Sequence, residues 1–128
     1  MGYVIKRGES MAIKLHKEGY EHAEEMVRLG VEVDHFSDNW DEVKPTVDDE
    51  LNYIDCHTLD EYGLWYLGVD TNIPSDNRAK YVYPYGDFNV VQESALIVAE
   101  QEAKKNNHDE IAVAARELLK KVAHTKMQ

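Results

Sequence analysis

The chain has little of what recognisable activities usually require. Its 128 residues include one cysteine, Cys56. A lone cysteine excludes an internal disulfide and fits a reducing compartment. No apolar run approaches the ~20 residues that span a membrane. The opening MGYVIKRGES has no apolar stretch of the kind a secretory signal needs. Gly2 is followed at the sixth position by Lys6, which argues against myristoylation. A cytoplasmic location is the resulting expectation. There is no Gly-x-Ser-x-Gly, no phosphate-cradling loop and no dinucleotide fingerprint. A di-metal helical site needs two Glu-x-x-His motifs and two further glutamates, and the chain does not have that set. A zinc site asks for more than one cysteine or a tight histidine pair. His22 with Glu18 and His57 with Glu61 share helix faces, yet each pair reads more simply as exposed or capping groups. Cys56 and His57 are adjacent, so on a helix they point about 100° apart and form no dyad. No metal, cofactor or catalytic set is expected.

Basic charge is scarce in one place. The net charge is −11. Residues 1–31 balance five acids against five bases, and residues 62–128 hold nine acids and eight bases. Residues 32–61 hold eleven acids against Lys44 alone. Such a block repels phosphates, so direct nucleic-acid binding is not expected. Asp34, Asp38, Asp41, Glu42, Asp48, Asp49 and Glu50 form a candidate acidic contact face for a protein partner.

What is present is a soluble composition, 43% apolar and 30% charged, of single-domain length over 1–128. YVIKR at 3–7 reads as a short strand or extended arm, within a candidate arm at 1–8. Residues 9–30 read as helix, with Gly19 as a divider and Gly30 as a stop. Phe36 and Trp40 are expected against the core. A helix restarts near Asp48, with Leu51 and Ile54 on one face. Thr58 with Glu61 is a capping box, and Leu59, Tyr62, Trp65 and Tyr66 extend a helix that Gly68 ends. Asn106 and Asn107 separate two apolar-periodic helices, one through Val91, Ala95, Val98 and Ala99. The other runs through Ile111, Ala115, Leu118, Leu119 and Val122. They predict an αα-hairpin over 90–123.

KYVYPYGDF at 80–88 is the most distinctive stretch. Tyr81, Tyr83 and Tyr85 alternate at period two, so an extended segment places them on one side. Pro84 restricts that segment to a sheet edge or an isolated run. Asp87 or Asn89 is expected to cap the following helix. Trp65, Tyr81, Tyr83, Tyr85 and Asp87 are the candidate ligand-binding residues, around an aromatic pocket near Trp65 and Tyr83. The simpler reading is that these rings fill space between helices while their hydroxyls reach backbone or water.

LWYLGVD at 64–70, KYVYPYGDF at 80–88 and HDEIAVAARELLKKV at 108–122, in this order and spacing, resemble a small uncharacterised domain of bacteria, archaea and their phages. Its members occur alone or in phage-related proteins, some beside head-maturation proteases. The upstream EHAEEMVRLGVEV is similar too, so the resemblance covers residues 20–123. Members carry a His-Arg pair after the Gly-Asp-Phe turn, where this chain has Gln92 and Glu93. The resemblance implies no activity and no catalytic residue. The expected architecture is mainly α: a compact bundle of four or five helices with an irregular aromatic-rich centre and a C-terminal αα-hairpin. The core is expected to include Trp40, Trp65, Tyr66, Tyr83, Phe88, Leu96, Ile111, Leu118 and Leu119. The expected function is a non-enzymatic interaction or structural role, phage or mobile-element related. The alternative is a small-molecule module at the aromatic pocket.

Overall fold

Strands appear where the apolar pattern reads as helix, and they change the architecture. The computed structural model describes residues 12–29, 32–36 and 39–126. The arm expected at 1–8 and Asp38 lie outside these residues. The elements run β1 (Ile13–Leu15), α1 (Lys17–Leu29), β2 (Val33–Asp34), α2 (Trp40–Val43), α3 (Val47–Cys56) and α4 (Leu59–Gly63). Then follow β3 (Tyr66–Asp70), a 3-10 turn (Arg78–Lys80), β4 (Tyr81–Pro84), β5 (Val91–Gln92), α5 (Glu93–Lys105) and α6 (Asp109–Lys126). Among the described residues, six helices accompany a three-stranded antiparallel sheet of order β1-β3-β4 and a parallel pair, β2 with β5. The expected helical bundle is therefore replaced by a mixed α/β fold. None of these helices is long and apolar enough to cross a membrane.

Two stretches account for the correction. Ile13–Leu15 pairs with Gly68–Asp70 instead of opening α1. Tyr66–Asp70 is the central strand instead of the end of a helix. Tyr66, Leu67 and Gly68 are all buried, and a strand covered on both faces shows no alternation. A short apolar run of that kind cannot be told from a buried helix by period. Gly68 suits the strand because a Cβ there would lie 2.9 Å from Val82 Cγ2 and 3.0 Å from Ile111 Cδ1. Its absence lets α6 lie against the sheet. Gly19 does not divide α1. A Cβ there would collide with the Tyr66 carbonyl, so glycine brings α1 onto β3.

The C-terminal hairpin forms as the periodicity predicts, except that Val91, expected on its first helix, lies in β5 and the helix starts at Glu93. Ala95, Ala99 and Ala103 recur at every fourth residue and are buried, facing a helix that buries Ala112 and Ala115. Small side chains permit close helix packing. Asn107 is left-handed, φ 62°. The His108 amide donates to Ala103 O at 2.8 Å and the Asn107 amide to Lys104 O at 3.2 Å, closing α5 with a Schellman motif. Leu67, Leu96, Ile111 and Leu118 are fully buried, with Trp40, Trp65 and Tyr66 nearly so. Tyr83, Phe88 and Leu119 pack against this core half-buried. Phe36, expected inside, is 89% exposed. The Asp34 carboxylate accepts the Phe36 amide at 2.8 Å, a tight Asx turn at the end of β2 that carries the ring outward.

Candidate functional site: two aromatic grooves beside one turn

The distinctive tyrosine stretch is where β4 leaves the sheet and turns back. β4 is an edge strand, as Pro84 requires. The Tyr85 amide donates to Trp65 O at 3.1 Å and the Gln92 amide donates to Tyr85 O at 3.0 Å, so backbone bonds tie the two sheets together. Asp87 closes the turn between them. Its Oδ1 accepts the Asn89 and Val90 amides at 3.1 and 2.9 Å, and its Oδ2 accepts Gln92 Nε2 at 3.1 Å. Neither Asp87 nor Asn89 caps the following helix. The N-cap of α5 is Gln92, which makes no side-chain cap bond because it is held in β5.

Two rings of this stretch sit on left-handed backbone: Tyr83 at φ 63° and Phe88 at φ 70°. A bulky residue with positive φ is an outlier that the surrounding structure must enforce, and such strain gathers at functional sites. It also breaks the expected alternation. Tyr83, Val82 and Pro84 all line one groove, whereas period two would set Tyr83 opposite its neighbours. The two left-handed rings each line a different groove, one on either side of the turn.

Tyr81 and Tyr85 are structural. Tyr85 is 0% exposed. Its hydroxyl donates to Leu64 O at 2.6 Å and accepts from His22 Nδ1 at 2.7 Å, while its ring stacks on Trp65 with centroids 5.7 Å apart. Burial pushes its pKa up, so it stays a neutral donor. Burial pushes the His22 pKa down, partly opposed by the Leu64 carbonyl. Tyr81 packs between His16, Tyr62 and Tyr66 at 5.3–6.0 Å. The Tyr66 hydroxyl donates to Tyr62 at 2.7 Å, and burial raises the pKa of both.

The first groove, about 540 Å³, is open. Its floor is a column of three rings. Phe88 stacks on Tyr53 at 4.6 Å and 17°, and Tyr53 on His57 at 3.8 Å and 9°. The Tyr53 hydroxyl accepts from Trp65 Nε1 at 3.3 Å, which links the column to the buried rings. Asp49 and Asp87 stand at its rim with Asn52 and Cys56. The second groove, about 330 Å³, holds Tyr83 and is walled by Trp40. Trp65 lines neither of these two grooves.

The acidic block resolves into helix starts. Asn39, Thr46 and Thr58 cap three short helices, whose first turns carry Asp41 and Glu42, then Asp48, Asp49 and Glu50, then Asp60 and Glu61. Carboxylates at these positions meet the positive end of the helix dipole. Asp49 completes a capping box with Thr46 at 2.9 Å. Glu50 is half-buried against Arg78 at 2.6 Å, and Asp41 pairs with Lys44 at 3.3 Å. Asp34 lies in β2 with its Asx turn. Asp41, Glu42, Asp48 and Asp49 are therefore exposed on α2 and α3, while Asp34 and Glu50 are half-buried.

Sequence reasoning missed Tyr53 and His57, although their spacing of four on one helix places them together. It missed Asn106 and His108 too, which read only as loop residues. Glu32 and His35 have Glu-x-x-His spacing but flank β2, where a separation of three sends side chains to opposite faces. Among the described residues no group of three or more histidine, cysteine, aspartate or glutamate residues is placed to hold a metal ion. No protein-family model, no curated protein and no solved structure matches the chain.

Proposed function

We propose that the protein is a non-enzymatic interaction module. Its docking face is the layer of short helices α2–α4 together with the Phe88–Tyr53–His57 column, and its partner is a protein segment rich in arginine. The open ring column carries the reading: three stacked rings, one on left-handed backbone, with carboxylates at the rim. Guanidinium groups stack on aromatic faces and pair with carboxylates, which lysine does less well. The surrounding helices add acids that attract such a segment over the ~10 Å reach of unscreened charge. Helix α3 supports this role because it buries no residue fully and leaves Val47 and Leu51 exposed. The phage or mobile-element setting implied by the sequence resemblance belongs to this proposal.

The test is calorimetric titration with a nona-arginine peptide and a nona-lysine peptide at low and physiological salt. Arginine is expected to bind more tightly by about tenfold, with Asp48→Lys weakening both. Phe88→Ala with Tyr53→Leu should erase the arginine preference. Equal binding of the two peptides, or none at low salt, sinks the proposal.

A further inference from the structure

The second groove meets that docking face only at Trp40 of α2, and its chemistry differs. Ile13, Trp40, Val82, Pro84 and Val98 form apolar walls around about 330 Å³. This is the lower end of the size range of small-ligand pockets, which are apolar with a few placed polar groups. The polar groups converge at one end. Asn106 Nδ2 donates to the Tyr83 hydroxyl at 3.1 Å. The hydroxyl also shares a hydrogen bond of 2.6 Å with His108 Nδ1. With its Nδ2 engaged by Tyr83, Asn106 keeps its carbonyl oxygen as an acceptor beside the same groove. Glu102 lines the same groove and raises the Tyr83 pKa through its charge, after burial, which is the larger cause. Glu102 and Asn106 lie in the last turn and C-cap of α5, where the helix dipole is negative. Tyr83 enters this network from left-handed backbone, φ 63°.

We infer that the Tyr83 groove is a binding site for a small organic cation, an amine with an apolar body of about one ring. The apolar walls take the body. Glu102, the Asn106 carbonyl and the end of α5 take the ammonium. A carboxylate of the same shape meets the wrong sign of charge at that mouth. The inference stands apart from the arginine-binding ring column: the two grooves share no lining residue, although α2 contributes Val43 to one and Trp40 to the other.

Phenethylamine and phenylacetate are the probes, since they share a ring and differ in charge. Methyl-resolved NMR of the full chain follows Ile13, Val82 and Val98, with exposed Val113 as the reference. Phenethylamine is expected to shift the three groove methyls with a Kd near about 1 mM, as its size allows. Phenylacetate is expected to bind at least about tenfold more weakly. Glu102→Gln changes an exposed residue and should weaken the amine several-fold while leaving the methyl spectrum of the free protein in place. Val98→Trp should fill the groove and abolish the shifts. Equal response to both probes, shifts shared by Val113, or no response at all overturns the inference.

Discussion

In the α5–α6 hairpin the buried contacts come from alanine, leucine, isoleucine and valine. In the segment from Trp40 to Gln92 they come largely from rings that carry hydroxyls or ring nitrogens. The apolar hairpin needs only volume and period to define it. The ringed segment also needs partners for its buried polar atoms, because leaving one unpaired costs about 1–3 kcal/mol, and Gln92 Oε1 is left without one. Tyr85 finds Leu64 and His22, Tyr66 finds Tyr62, and Trp65 finds Tyr53. The same segment holds the left-handed Tyr83 and Phe88, and each of these rings lines a groove. Purely aliphatic burial is concentrated in the hairpin, and the two grooves lie beside the turn.

The sharpest test makes the same substitution in both regions. Leu118 is 0% exposed and Leu51 is 45% exposed. Leu118→Ala should cost about 2–5 kcal/mol, as buried leucines do. Leu51→Ala should stay within about 0.5 kcal/mol. Chemical denaturation measures both. A loss below about 1 kcal/mol at Leu118 would break the comparison, since the hairpin would then carry no special share of the core.

The same division explains what could be read from the sequence. Ile111, Ala115, Leu118 and Val122 repeat at helical spacing, and nothing competes with that pattern, so the hairpin and its Asn106–Asn107 stop were legible. Thr58 and Glu61 were legible as a cap because the signal is local. Tyr66–Asp70 was not, since a strand buried on both faces and a buried helix offer the same apolar run. Ile13–Leu15 was hidden because its three residues are strand only by pairing with β3. Tyr83 read as part of an even alternation, and no local signal announces a left-handed tyrosine. The ring column was hidden for another reason: Phe88 joins Tyr53 and His57 from far along the chain.

A smaller effect separates local from global order in the short helices. Thr46→Ala removes the capping-box hydroxyl of α3, which accepts the Asp49 amide at 3.1 Å. The expected cost is about 1 kcal/mol. Hydrogen exchange should show faster exchange in α3 alone, with the α5–α6 amides keeping their protection. Protection lost equally in both would mean that the acidic layer and the hairpin unfold as one unit, and the division drawn above would fail.

The smallest expected effect lies at the joint between the regions. His22, on α1, holds the Tyr85 hydroxyl from one side while Leu64 O holds it from the other. Burial lowers the His22 pKa from 6.5 in the folded state, against a partial rise from the Leu64 carbonyl. A histidine with a lowered folded pKa binds more protons unfolded than folded as pH falls past 6.5. Its contribution is therefore present above that pH and is lost progressively below it, down through the folded pKa. His22→Gln keeps an N–H donor for Tyr85 and removes the titration. The melting temperature of the native chain should fall relative to that of the H22Q variant as pH drops from about 7.5 to about 5.5. Near neutral pH the two should differ little. A difference that stays flat across that range would show that His22 charges freely in the folded state, so burial against Tyr85 and Leu64 would not govern its titration.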